Sequence, residues 1–249
     1  MLSKKIVKYI QSLSHKKFRD EDDVFIAEGP KIVSEFLLSQ NIQCNFICAE
    51  KQWLVENEPL LKGLESQDIF ETDEDGLKSI SSQKSPNKVI GIFNKKPVVE
   101  NPDLSGKISI MLDYLQDPGN MGTIIRIADW FAIENIICSS NTVDCYNPKV
   151  VQSTVGSLAR INILYTDLRS FILKNRNINI YATTLHGTPV FEMPKIKEGI
   201  ILIGNEAKGV LGELLELSSH QITIPRYGHA ESLNAAVATA IIISTFTTR

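Results

Sequence analysis

The chain has 249 residues, of which 43% are hydrophobic, and a net charge of −3 at pH 7. This length accommodates one large domain or two modest ones, and this composition supports an ordinary globular core. The slightly negative charge excludes a global positive field for nucleic acid or an anionic membrane, so an RNA partner must be held by local patches and shape. No window approaches the ~20 apolar residues of a membrane span, and no apolar run follows Lys4, Lys5 and Lys8, so we expect no signal peptide.

Cysteine usage predicts reduced thiols in a cytoplasmic protein. Neither the pair Cys44 and Cys48 nor the pair Cys138 and Cys145 has the spacing of a convincing zinc half-site. The four histidines are scattered along the chain. We therefore expect no structural metal.

Residues 1–97 alternate short helices and strands, which predicts a small α/β domain. A helix is expected from Lys4 to Leu13, a strand from Val24 to Gly29, and a helix beginning at Pro30, since proline suits a first helical position. The basic cluster Ser14–Arg19 between the first helix and the first strand is interpreted as a solvated loop or as a phosphate contact. Turn-forming residues then predict a linker at residues 98–106.

The second predicted domain, residues 107–249, contains buried strands that alternate with helices, which favours a mostly parallel sheet covered on both faces. Its first strand, Ile108–Leu112, leads into a Gly- and Pro-containing loop over residues 113–122. A helix is predicted from Thr123 to Phe131, with Arg126 pointing away from its apolar stripe.

The last stretch, residues 222–243, reads as a strand stopped by Pro225, a turn at Gly228, and an Ala-rich helix for which Ser232 is the predicted N-cap. Small side chains on that helix indicate close approach of another backbone. Its stripe of Val237, Ala240, Ile241 and Ser244 fits a dimer face or a buried helix within one chain.

Four polar or glycine-containing loops follow strands, at residues 113–122, 184–187, 204–209 and 225–234. Ligands bind beyond the carboxyl ends of parallel strands, so these loops predict a pocket. No Gly-x-Gly-x-x-Gly and no Gly-x-Ser-x-Gly occurs, and the P-loop spacing of Gly204 and Gly209 lacks the following Lys and hydroxyl. The residues by themselves leave the ligand open.

Three of these segments together resemble the motifs of the SpoU family, S-adenosylmethionine-dependent RNA ribose 2′-O-methyltransferases of the SPOUT fold. The segments are Asp117-Pro-Gly-Asn-Met-Gly122 with Arg126, Gly204-Asn-Glu-Ala-Lys-Gly209, and the Ile224-Pro to Glu-Ser-Leu-Asn234 stretch. The resemblance covers roughly residues 108–249. Lys16–Arg19 followed by Phe25–Gly29 resembles the family's ribosomal-protein-like RNA-binding domain. The sequence departs from the common pattern at Ala132, where Gly is frequent, and at Ala207; both residues are small, so we expect activity to survive.

The resemblance implies a trefoil knot in the C-terminal domain, a homodimer, and a cofactor and substrate site. The implied cofactor is S-adenosylmethionine, held by Thr183, Leu185, Gly187, Leu202, Gly204, Ile224 and Leu233. The polar groups implied for methyl transfer are Asn120, Arg126, Glu206, Ser232 and Asn234. Members of the family are proposed to use the Arg as the base, but a guanidinium with a pKa above ~12 rarely loses its proton. We therefore favour Arg126 as a phosphate-binding group that positions the ribose hydroxyl.

Several alternatives remain at this point. Arg126 also fits an ordinary surface salt bridge with Asp129 or Glu134. Asn234 fits equally well a contact that fixes Arg126 or the ribose and a helix-start hydrogen bond. Glu206 fits a structural or RNA-contacting role better than that of a base. The implied substrate is structured RNA, with rRNA favoured over tRNA because of the N-terminal domain. The competing functions are an RNA-binding protein with a vestigial pocket and methylation of a base nitrogen.

Overall fold

A computed structural model describes residues 2–83 and 85–247. The strands are β1 Val24–Glu28, β2 Cys44–Ala49, β3 Ile69–Glu71, β4 Val89–Asn94, β5 Ile108–Leu112, β6 Asn135–Ser139, β7 Asn162–Thr166, β8 Ile180–Pro189, β9 Gly199–Ile203 and β10 His220–Thr223. The helices are α1 Lys4–Ser12, α2 Lys16–Glu21, α3 Pro30–Leu38, α4 Lys51–Glu56, α5 Glu74–Ile80, α6 Pro118–Trp130, α7 Pro148–Thr154, α8 Leu168–Lys174, α9 Gly212–Glu216 and α10 Ala235–Phe246.

These elements form two compact units. The first unit is Met1–Pro97 together with Asp144–Ala159, and the second is Val98–Val143 together with Arg160–Arg249. The first unit therefore includes α7, which the sequence interpretation assigned to the C-terminal domain. The predicted boundaries of the two functional domains, residues 1–97 and 107–249, remain predictions.

The first unit is a four-stranded mixed sheet in the order β1-β4-β2-β3. Strand β4 is antiparallel to β1 and β2, whereas β2 and β3 are parallel. Because alternate side chains of a strand point to opposite faces, Ile26 joins a cluster with residues of α1 and α5, while Phe25 stacks on Phe93 and contacts Tyr146. Both faces of the sheet are therefore covered.

The second unit is a six-stranded sheet in the order β10-β8-β9-β5-β6-β7, and every strand pair is parallel. Ile180 and Ala182 of β8 pack in a core cluster with side chains of α8 and α9. Tyr181, which lies between them, contacts Phe246 of α10 at 5.3 Å between ring centroids. Helices thus cover both faces, which confirms the predicted mostly parallel α/β fold.

The basic cluster of the first unit is helical and largely neutralised within the protein. Lys16 pairs with Asp20 in the exposed helix α2, and the guanidinium of Arg19 is buried against Asp144 at 2.7 Å. Arg19 also donates to the carbonyl groups of Leu13 and Ser14. The interpretation of this segment as a solvated loop is wrong for Arg19, because a buried, paired guanidinium is a folding contact.

Candidate functional site

A chain of side-chain hydrogen bonds joins the three motif loops in the second unit. The Asn234 side-chain Nδ2 donates to Asn120 Oδ1 at 2.7 Å. Asn120 Nδ2 in turn donates to Glu206 Oε1 at 3.0 Å. Three segments that are more than 25 residues apart in sequence therefore converge on one polar cluster, as the sequence interpretation requires.

Asn120 reaches this position because α6 begins inside the first motif. Asp117 is the N-cap, and its carboxylate accepts a hydrogen bond from the Asn120 backbone N–H at 2.7 Å. Pro118 occupies the first helical turn, where its missing N–H costs nothing. The prediction that this helix starts at Thr123 is wrong, since Asp-Pro is itself a helix-start signal.

Asn234, and not Ser232, caps α10. Asn234 Oδ1 accepts from the backbone N–H groups of Ala236 and Val237. The same side chain thus uses its oxygen for the helix start and its nitrogen for Asn120. The predicted N-cap at Ser232 is wrong; Ser232 is exposed in the loop before the helix, which leaves its hydroxyl facing solvent.

The loop at residues 204–209 is held in a fixed, closed shape. Asn205 Oδ1 accepts from the backbone N–H groups of Ala207 and Lys208, and Asn205 and Gly209 form a β-bridge. A Cβ added at Gly204 would lie 2.2 Å from the Gly209 backbone, so only glycine fits. This closure presents Glu206 at the end of β9, next to α6.

Sequence reasoning missed Asp113, the first residue after the central strand β5. Asp113 is buried, and its carboxylate accepts from the Leu211 N–H at 2.8 Å. Burial raises the pKa of Asp113, and the hydrogen bond from Leu211 offsets part of that rise. A charged residue directly after a buried strand is the signal that identifies such a group. Asp113 connects the end of β5 to the loop that follows Gly209.

The segment predicted to hold the cofactor lies in an irregular part of β8. Residue Ala182 pairs with Gln221 of β10, but the next pair is Thr188 with Ile222. Residues 183–187 are thereby left without a cross-strand partner on β10, and β9 pairs only with Ile180–Ala182. Residues 183–187 extend beyond that pairing at the carboxyl edge of the sheet, where ligands bind, and within them the His186 N–H donates to Thr184 Oγ1.

The predicted cofactor residues lie in β8, at the carboxyl end of β9 and after β10. Thr183 Oγ1 donates to the Leu202 carbonyl at 3.0 Å, which ties β8 to the end of β9. A Cβ at Gly187 would lie 2.5 Å from the Gln221 carbonyl, so the backbone there approaches β10 closely. Leu185 and Leu233 are exposed, and Ile224 is half-buried just beyond β10.

Arg126 has no side-chain partner among the described residues and is exposed on α6. The two acids considered as its partners pair with other residues: Asp129 pairs with Arg160 and Glu134 pairs with Lys107, each at 2.9 Å. The surface salt bridge considered for Arg126 is therefore wrong. Asn234 does not hold Arg126 either, because Asn234 Oδ1, the atom that could accept from a guanidinium, is bonded to the N–H groups of Ala236 and Val237.

No helix in residues 2–83 and 85–247 has the length and apolar character needed to cross a membrane. Within the same residues, no three His, Cys, Asp or Glu side chains come together in a group that could hold a metal ion.

Comparison with known proteins supports these structural observations. The model of the SpoU rRNA Methylase family matches residues 107–244, and that of an MRM3-like substrate binding domain matches residues 4–91. The 23S rRNA (guanosine(2553)-2′-O)-methyltransferase RlmP of Bacillus subtilis is 31% identical over 95% of this chain and 94% of its own length.

Solved structures agree over nearly the whole chain. An AdoMet-bound rRNA methyltransferase from Sinorhizobium meliloti is 31% identical, with a TM-score of 0.86 over 98% of this chain and 95% of its own. A TrmH-family protein from Porphyromonas gingivalis is 31% identical, with a TM-score of 0.83 over 99% and 98%. The chain belongs to the SpoU rRNA methylase family, as its three motifs predicted.

Proposed function

We propose that this protein transfers the methyl group of S-adenosylmethionine to a ribose 2′-hydroxyl of structured rRNA. The observation that carries the proposal is the hydrogen-bond chain Asn234–Asn120–Glu206, which joins three motif loops in the sheet whose strand β8 extends past its partners over residues 183–187. The relative in Bacillus subtilis is named as a 23S rRNA 2′-O-methyltransferase, which favours rRNA over tRNA.

The residues present fit S-adenosylmethionine. The cradle combines residues 183–187, which have no ladder partner on β9 or β10, with two glycines, Gly187 and Gly204, where a Cβ would collide with neighbouring backbone. Exposed Leu185 and Leu233 offer apolar contacts for an adenine ring. When bound, this cofactor supplies a methyl group already activated on a sulfonium, so the protein has to orient the acceptor oxygen in line with it.

Arg126 supplies the orientation. It carries no ion pair with the described residues, so its guanidinium binds the phosphate next to the acceptor ribose. Asn120 and Asn234 hold the first and third loops at fixed separation, and the exposed Ser232 hydroxyl lies within the third loop as a ribose contact. Glu206 acts as an anchor for Asn120.

The proposal is tested by titrating S-adenosylmethionine calorimetrically and by mapping 2′-O-methyl groups on an unmodified 23S rRNA transcript after incubation with protein and cofactor. We expect micromolar cofactor binding and one new 2′-O-methyl group. Absence of cofactor binding would favour a vestigial pocket, methylation of a tRNA transcript alone would assign the other substrate, and methylation on a base would contradict ribose transfer.

We also propose a homodimer, the trefoil knot implied by the family, and a cytoplasmic location. The predicted stripe on α10 has Val237 and Ser244 exposed in the single chain, and Trp130 at the end of neighbouring α6 is 81% exposed. A face of this kind is typical of an interface. Light scattering should give twice the 27.8 kDa chain mass, and Val237→Asp should reduce it to one chain, whereas Lys208→Asp on the exposed 204–209 loop should not.

A further inference from the structure

The first unit contains a cavity of about 280 Å³ that the proposed methyl transfer does not use. Its apolar lining residues are Ile26 and Pro148. Its walls are polar, and they are formed by Glu28, Ser82, Gln83, Lys149, Gln152 and Ser153. Ligand pockets usually have volumes of roughly 300–1,000 Å³, so this cavity suits a small planar group better than a long segment of polymer.

The cavity is built on buried hydrogen bonds. Glu28 is 5% exposed, and its carboxylate accepts from the hydroxyl groups of Ser81 and Ser82 and from the Ser82 backbone N–H. These bonds fix the loop after α5 against the end of β1. Ser153 donates to the Lys149 carbonyl within α7, so the opposite wall is a regular helix.

Three side chains at this cavity carry unused hydrogen-bonding capacity. The side-chain amides of Gln83 and Gln152 and the ammonium of Lys149 make no hydrogen bond or ion pair with the described residues. Each amide offers both a donor and an acceptor, as the edge of a nucleobase requires. An ammonium group beside them suits a phosphate.

Charge alone does not hold RNA on this unit. The net charge of the chain is −3. In the basic cluster Lys16 pairs with Asp20 and Arg19 pairs with Asp144, and Lys95 from the end of the unit also pairs with Asp20. Recognition therefore depends on shape and on specific polar contacts, because the non-specific electrostatic contribution is small.

We propose that this cavity binds one unstacked nucleobase of the RNA substrate, with Lys149 on the adjacent phosphate. The base lies against Ile26 and Pro148, and the amides of Gln83 and Gln152 contact its polar edge. Single-stranded bases splayed out of a folded RNA are the usual targets of this kind of recognition. The proposal rests on the RNA substrate of the proposed function and adds a second contact point on the same molecule.

The test measures filter binding of an unmodified 23S rRNA transcript at fixed salt. Ser153→Phe should fill the cavity and raise the Kd for the transcript about 10-fold, because the hydrogen bonds from two amides and the phosphate contact are lost together. Gln152→Ala and Lys149→Ala should each raise it severalfold. The control Lys62→Ala, an exposed lysine of the same unit outside the cavity, should change it less than twofold. The Kd for S-adenosylmethionine should stay unchanged in all four variants.

The outcomes separate this inference from the function on which it rests. If wild-type protein binds the transcript through the cavity but transfers no methyl group, the proposed function is contradicted and the cavity proposal stands. A transcript Kd within twofold of wild type for both Gln152→Ala and Lys149→Ala would overturn the cavity proposal even if Ser153→Phe misfolds. Failure of the wild-type protein to bind the transcript at micromolar concentration would overturn it as well.

Discussion

Arg19 and Arg126 show how differently one residue type is used in the two units. Arg19 is buried, with a 2.7 Å ion pair to Asp144 and two backbone carbonyl partners. Arg126 is exposed, and the nearby acids Asp129 and Glu134 pair with other residues. The first guanidinium is satisfied by the fold and therefore stabilises it, whereas the second has its full binding capacity left for a ligand.

The largest effect should come from breaking the Arg19 pair. Asp144→Ala leaves a buried guanidinium whose Nε already lacks a partner, and loss of one partner of a buried pair costs about 3–5 kcal/mol. Urea unfolding should show this loss in the free energy of unfolding. The control Glu74→Ala, which removes an exposed pair with Lys78, should cost less than ~1 kcal/mol. Equal effects of the two changes would contradict the structural role of Arg19.

Arg126→Ala should give the converse pattern. We expect the single-turnover rate of methyl transfer to fall at least ~100-fold, which is the usual consequence of removing one preorganised charged contact. The free energy of unfolding should change by less than ~0.5 kcal/mol, because the removed side chain is exposed and has no partner among the described residues, so its loss breaks no stabilising contact. Arg126→Lys should recover part of the rate, since the charge remains but the bidentate geometry is lost. A rate near wild type in both variants would remove Arg126 from the reaction.

Asn120→Ala should affect both properties at once, because Asn120 belongs to the fold and to the site. It leaves Glu206 Oε1 and Asn234 Nδ2 without their mutual partner, which should cost about 1–3 kcal/mol of unfolding free energy. Methyl transfer should also slow, since three loops lose their connection. A double-mutant cycle with Asn234→Ala should show coupling. The exposed Asn141→Ala is the matched control, and strictly additive effects would contradict a connected chain.

The sequence predicted the second sheet well because its strands are continuous apolar segments. Buried runs such as Ile108–Leu112 and Gly199–Ile203 alternate with helices, and that pattern favours a parallel sheet with polar loops at its carboxyl edge. Helix starts were predicted less well. Helix α6 begins earlier than predicted, at the N-cap Asp117, and α10 begins later than predicted, at the N-cap Asn234, because these side chains reach the first free N–H groups.

Tertiary pairing was beyond the reach of sequence reasoning. Arg19 and Asp144 are 125 positions apart, and nothing local distinguishes Arg19 from Lys16 or Lys17. The placement of α7 in the first unit and the hydrogen bond from Leu211 to Asp113 depend in the same way on long-range packing. By contrast, the frequent use of Gly in the family at the position of Ala132 has a local cause. Ala132 has a φ of +56°, in the left-handed region that favours glycine.

Ala132→Gly should give the smallest effect and should separate stability from activity in the second unit. A non-glycine residue in the left-handed region is strained by roughly 1–2 kcal/mol, and the greater flexibility of glycine in the unfolded chain offsets part of the relief. We therefore expect the free energy of unfolding to rise by about 0.5–1 kcal/mol with an unchanged rate of methyl transfer. Ala128→Gly, four residues earlier in the interior of α6, should lower the free energy of unfolding by about 1 kcal/mol or more. The same sign for both changes would contradict backbone strain at Ala132, and a slower reaction in Ala132→Gly would mean that the end of α6 must be rigid to present Arg126.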